Sequence, residues 1–237
     1  MKYLNKEICA GIVLSLGFSG MAASVPIYND ASKVIANTVW PMSDGVTYGN
    51  EINIAAGWTL TSFSFEYDSL NTTPGLSVDV KFYQNDGAAT GNGYATPGTL
   101  IYDSGAFTYG AGYVPTGLHD YTLSGSDLTS GATVPLVGTL PTDFTFTITF
   151  ANFGNSGPVT LPLASATPGV SFGDYWQNNN NGGGWTLLTN SVSGSYVSGS
   201  YIVDLEGTSS VPEPSVYALS AVGSLLLLGA SRLKRKS

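Results

Sequence analysis

Arginine and cysteine are missing from residues 24–210 of this 237-residue chain, and histidine occurs there once, at His119. These side chains most often clamp anions, supply thiol nucleophiles and move protons near neutral pH. Catalysis in this segment is left to Asp, Glu, Ser, Thr and Tyr, and no catalytic residue, resident cofactor or metal ligand is assigned. The only cysteine, Cys9, opens an N-terminal apolar run. A lipidated cysteine would follow that run, and a disulfide would need a partner. Positive charge is also scarce: only Lys33 and Lys81 face fourteen Asp and Glu between residues 24 and 210, a net of −12. So acidic a body repels phosphate backbones, which excludes nucleic acid as a partner.

The missing positive charge sits at the two ends. Residues 1–24 carry Lys2 and Lys6, an apolar run at 8–18, and the small-residue zone Gly20, Met21, Ala22, Ala23, Ser24. That is the layout of a secretory signal, with cleavage expected after Ala22 or Ser24. At the other end stand Val211, Pro212, Glu213 and Pro214 within an extended segment at 209–214, then seventeen uncharged residues at 215–231. Arg232, Lys234, Arg235 and Lys236 close the chain in a basic end at 232–237. As a helix, the 215–231 span reaches about 25 Å, at the short end of a membrane crossing. The basic end then belongs on the cytoplasmic side and the body outside. The two prolines stop the helix from extending backward and hold the motif extended and accessible.

In these three parts and their order, the C-terminus resembles that of the PEP-CTERM proteins: a Val-Pro-Glu-Pro signature, one membrane helix and an Arg/Lys-rich end on chains that begin with a signal peptide. The resemblance implies sorting by an exosortase, a multi-spanning membrane enzyme that cleaves near the motif in Gram-negative bacteria making exopolysaccharide and biofilm. It covers the tail alone and implies nothing about the body.

Residues 25–208 predict one all-β domain, an antiparallel two-sheet sandwich of jelly-roll or Ig-like kind. The clearest strand is 143–150 (DFTFTITF), with Phe144, Phe146, Ile148 and Phe150 on one face and threonines on the other, a half-buried pattern. Residues 76–83 repeat it, with Asp79 and Lys81 outward. Weaker strands fall at 58–67, 99–104, 119–123, 170–176, 185–188 and 196–205, separated by Gly, Asn and Pro turns. No long amphipathic helix and no fixed-period repeat is present. Residues 81–87 with 97–104 loosely resemble a strand–loop–strand unit of exported β-sandwich domains that occur with several kinds of anchor, which implies a sandwich of unassigned activity.

Four groups of residues invite chemistry. Asp86 and Asp103 flank a Gly-rich loop and suit calcium only if they converge; solvated turn positions are the simpler assignment. Tyr175, Trp176 and Trp185 flank an Asn/Gly-rich stretch at 178–184 and offer ring faces and amides to a sugar, or else pack into the core. Glu51 with Glu66, or Glu66 with Asp68, are the carboxylate pairs open to glycoside hydrolysis. His119 adjoins Asp120, without a nucleophile elbow.

The expectation drawn from these residues is a non-enzymatic exported protein, held briefly in the inner membrane by its C-terminal helix and processed by an exosortase-like enzyme. It would then lie at the cell surface or in the extracellular matrix, with exopolysaccharide as a candidate partner. A lectin-like carbohydrate-binding module is the alternative, and a glycoside hydrolase using Asp and Glu comes third.

Overall fold

The computed structural model describes residues 23–29, 34–69, 75–90, 93–109, 116–153, 159–164, 170–179, 184–188, 191–192, 195–196 and 200–209. Residues 1–22 of the expected signal segment at 1–24, the motif at 211–214, the apolar span at 215–231 and the basic end lie outside them. Among the described residues no helix is long and apolar enough to cross a membrane.

In chain order the strands are β1 (Val25–Asn29), β2 (Val34–Pro41), β3 (Thr47–Asn53), β4 (Trp58–Ser69), β5 (Ser77–Gln84), β6 (Leu100–Asp103), β7 (Phe107–Thr108) and β8 (Gly117–Ser124). They continue as β9 (Asp143–Ala151), β10 (Val159–Ala164), β11 (Val170–Asn178), β12 (Trp185–Leu188), β13 (Ser191–Val192), β14 (Ser195–Tyr196), β15 (Ser200–Tyr201) and β16 (Val203–Ser209). Two antiparallel sheets form a sandwich. The first centres on β4, flanked by β8 on one side and by β16 and then β10 on the other; β1 continues past β16 and β2 past β10, while β15 pairs with the edge of β10 that faces β4. The second runs β12-β11-β3-β9-β5-β6, with β7 also on β5. β13 and β14 make a separate two-stranded ribbon.

The period-two pattern read in the sequence organises the core. Phe63 of β4 reaches across to Phe82 and Phe146 of the second sheet, with ring centroids 5.1 and 5.6 Å apart. Phe82 also meets Tyr102 and Phe144. Each such ring leaves water almost completely, and full burial of a Phe stabilises by roughly 1.5–3 kcal/mol.

Three expectations about strands change. The strand at 143–150 is buried on both faces over its middle: Thr145 and Thr147 are as inaccessible as the phenylalanines, on a strand flanked by β3 and β5, and Thr149 is half-buried. Their hydroxyls are satisfied locally, Thr145 donating to Asn85 Oδ1 at 2.7 Å and Thr147 to the Lys81 carbonyl at 3.3 Å. The strand expected at 196–205 divides into β14, β15 and β16. Finally, β1, β2, β3 and β10 carry no clear alternation. β3 contains Gly49, where an added Cβ would stand 2.9 Å from the Phe146 carbonyl oxygen and from Thr145 Cγ2. The glycine that hides the strand in the sequence is what lets β3 lie against β9. β10 contains Pro162, whose missing N–H is tolerated next to a register shift against β2.

Candidate functional site

Along one side of the sandwich the two sheets end in edges that do not pair with each other among the described residues. There β8 borders the first sheet and the β6–β7 line borders the second, and the two edges pair inward with β4 and β5 rather than with each other. Between them lies a groove of about 390 Å³, walled by Ser104, Gly105 and Phe107 on one side and by Tyr121 and Thr122 on the other. Asp127, from the 3-10 turn Gly125–Leu128, closes one end.

Each wall is held by identifiable bonds. At residues 104–106 the edge strand leaves β5 and rejoins it at Phe107, which pairs with Val78. Ser104 is pinned at this departure: its N–H donates to the Val80 carbonyl, and its hydroxyl accepts from the Val80 N–H, both at 2.9 Å. Gly105 takes a φ of +71° and leaves no room for a side chain against Thr133, so a glycine is required there. Asp103 exchanges two 3.0 Å backbone hydrogen bonds with Val134. The Tyr102 hydroxyl donates to the Asp127 carbonyl at 3.0 Å, and the Asp127 carboxylate accepts the Ser124 N–H at 3.2 Å. Tyr121 is wedged between Phe65 and Phe107, with centroids 5.3 and 6.2 Å away. Phe107 also meets Tyr109 edge-on at 5.2 Å.

The groove has negative surroundings. Lys81 is the one Lys or Arg among the described residues, and it is held between Asp103 at 2.8 Å and Asp79 at 3.1 Å. Burial pushes the Asp79 carboxyl above its ordinary value despite Lys81. Burial pushes Asp103 the same way, but the Lys81 ammonium and the Gly105 N–H outweigh it and hold that carboxyl below the usual range. Burial, then Tyr109, Asp127 and Asp79, push the Tyr121 phenol up to about 12, so it stays a neutral hydroxyl at any physiological pH.

The residues named from the sequence are placed elsewhere. Tyr175 is fully buried in the sandwich, stacked on Trp40 at 5.8 Å with the rings 4° from parallel and edge-on to Tyr201 at 5.0 Å. Trp176 is also fully buried, and its Nε1 has no hydrogen-bond partner among the described residues. Only Trp185, half-buried and edge-on to Tyr83 at 5.6 Å, reaches solvent. The expected three-ring glycan platform is therefore not formed, because two of its rings are packing residues. Part of the Asn/Gly stretch, 180–183, lies outside the described residues.

Asp86 and Asp103 hold different rungs of one hairpin. Asp86 accepts from the Thr99 N–H at 2.6 Å and the Thr99 hydroxyl at 2.7 Å, whereas Asp103 pairs with Lys81 across the β5–β6 ladder. Among the described residues no group of three or more His, Cys, Asp or Glu is spaced to hold a metal ion. Glu51 and Glu66 lie on opposite sheets and alternate with core residues, so the two point away from each other with the core between them. The partner the fold brings to Glu66 is Asp120, directly opposite on β8. With Ser64, Thr122 and Asp204 they line a shallow hollow of about 210 Å³ on the outer face of the first sheet. Burial and then Asp120 raise the Glu66 carboxyl; Asp204 is raised by burial, with Asn29 acting against it and Glu206 with it. His119 packs on Tyr67 at 5.6 Å, and its Nε2 makes no hydrogen bond among the described residues.

Phe107, Tyr121 and Asp127 were not singled out by sequence reasoning. Their signal was present, two aromatics in the short stretch 107–109 and one inside the 119–123 strand, but only the topology puts those strands face to face. No family model matches the chain, and no curated protein matches it.

Proposed function

We propose that this chain is an exported, non-enzymatic surface or exopolysaccharide-matrix protein, sorted and processed through its C-terminal motif by an exosortase-like membrane enzyme. The observation that carries this is the order of Val211, Pro212, Glu213 and Pro214, the apolar span at 215–231 and the basic Arg232, Lys234, Arg235 and Lys236, behind an N-terminus laid out as a secretion signal. The body suits a tethered protein. The last strand among the described residues, β16, is paired on both sides, with β1 and with β4, so pull on the tail is borne by two ladders.

The sandwich is, in the same proposal, a jelly roll. Taking the β6–β7 line as one strand, β2-β10-β4-β8 faces β3-β9-β5-β6. That is strands 1-8-3-6 against 2-7-4-5 of eight, the order of two interleaved Greek keys. The architecture leaves function open.

Glu213→Ala and Pro214→Ala variants carrying tags at both ends test the sorting. Export and membrane insertion are expected to persist, since neither the signal nor the apolar span is touched, while the full-length form accumulates in the membrane. Cleavage and release at wild-type levels would show that the tail is a plain anchor.

A further inference from the structure

We propose that the groove between the β6–β7 edge and β8 binds uncharged sugar rings of a polysaccharide. The site is distinct from the one expected at Tyr175, Trp176 and Trp185, and it does not depend on how the tail is processed.

A pyranose presents two chemistries: flat C–H faces that pack on aromatic rings, and a rim of hydroxyls that need donors and acceptors. The groove offers both. Phe107 is 51% exposed at the mouth, yet its ring is held from behind by Tyr109 and laterally by Tyr121. A pre-positioned ring loses little entropy when a ligand stacks on it. Asp127 lines the groove beside it and supplies a carboxylate, while the Ser104 hydroxyl is already bonded to the Val80 N–H and the Gly105 carbonyl. A carboxylate has about four acceptor sites, and the Ser124 N–H is the one hydrogen bond to Asp127 Oδ2 described above.

Charge selects among glycans. Asp127 lines the groove, Asp79 acts on Tyr121 from nearby, and the neighbouring Lys81 is engaged by two carboxylates. Uronate and sulfate polymers are repelled by such a field, whereas neutral hexose or N-acetylhexosamine chains are not. The volume of about 390 Å³ falls in the range of small-molecule sites, about 300–1,000 Å³. It lies between two sheet edges that do not pair with each other among the described residues.

The test is a calorimetric titration of the full chain in detergent with cello-, malto- and chito-oligosaccharides, and with oligo-alginate of equal length. At least one uncharged series is expected to bind and alginate is not. Phe107→Ala should weaken binding about tenfold, Phe107→Tyr should retain it, and Val137→Ala, at an exposed position outside the groove, should leave it unchanged. Saturation-transfer NMR should place the contact on sugar C–H protons and lose it in Phe107→Ala. Failure of all three uncharged series to bind, equal binding of alginate, or undiminished binding by a folded Phe107→Ala variant would overturn the proposal. None of these outcomes bears on the tail, whose test reads cleavage rather than binding.

Discussion

Glu66 of β4 stands directly opposite Asp120 of β8 on the outer face of the first sheet, two carboxylates in one cross-strand pair. Like charges so placed destabilise a sheet by roughly 0.2–1 kcal/mol, and Lys81, the one Lys or Arg among the described residues, is engaged elsewhere. Burial and Asp120 hold the folded-state Glu66 above its ordinary value of 4.5. The folded protein therefore keeps a proton that the unfolded chain releases, and the associated stability is fully present below that value and lost as pH rises through the folded one. Glu66→Gln should raise the denaturation midpoint at pH 7 and low salt, and the gain should shrink toward pH 4 and in high salt. Denaturant titrations at both pH values check this; an equal gain at pH 4 and pH 7 would refute a charge origin.

Lys81 carries the opposite expectation. It pairs with both Asp79 and Asp103, and Asp103 is 8% exposed. Lys81→Met leaves two carboxylates facing each other without their cation, at a cost of about 1–3 kcal/mol at pH 7. The loss should ease at low pH as the carboxyls protonate. Chemical denaturation of the variant across pH 4–7 measures it.

Gly49→Ala tests the closeness of β3 to β9. The new methyl carbon would meet the Phe146 carbonyl oxygen and two threonine methyls at 2.9–3.0 Å, and backbone at the centre of a sheet yields little. A loss of about 1–3 kcal/mol is expected. Thermal melting that matches wild type would mean the strands stand further apart than described.

Tyr175 and Trp185 should separate cleanly. Removing the Tyr175 ring empties the space between Trp40 and Tyr201, so Tyr175→Ala should cost roughly 3–5 kcal/mol. Trp185 sits on the terminal strand of the second sheet and is half-exposed; Trp185→Ala should cost about 1 kcal/mol or less. Equilibrium unfolding of the two variants reads the difference.

Strands whose faces differ in polarity were legible in the sequence. Alternation located β4, β5, β9 and β12, because a side chain's face is set by its parity along a strand. It could not locate β3, whose Gly49 and Asn50 both lie in the interior of the second sheet as buried positions, or β10 with its internal proline. The threonine face of β9 misled for the same reason. Polarity indicates what a face can tolerate, and whether the face meets water depends on what the tertiary structure packs over it.

Charge, the all-β class and the tripartite tail belong to the sequence by itself, since each rests on composition or on residues within a few positions of one another. The fold alone decided that Tyr175 and Trp176 are interior, that Glu66 meets Asp120 and not Glu51, and that Phe107, Tyr121 and Asp127 surround one groove. These relationships join strands many residues apart, and they depend on which strands the sheets set side by side. That is a property of sheet order, which local periodicity does not encode.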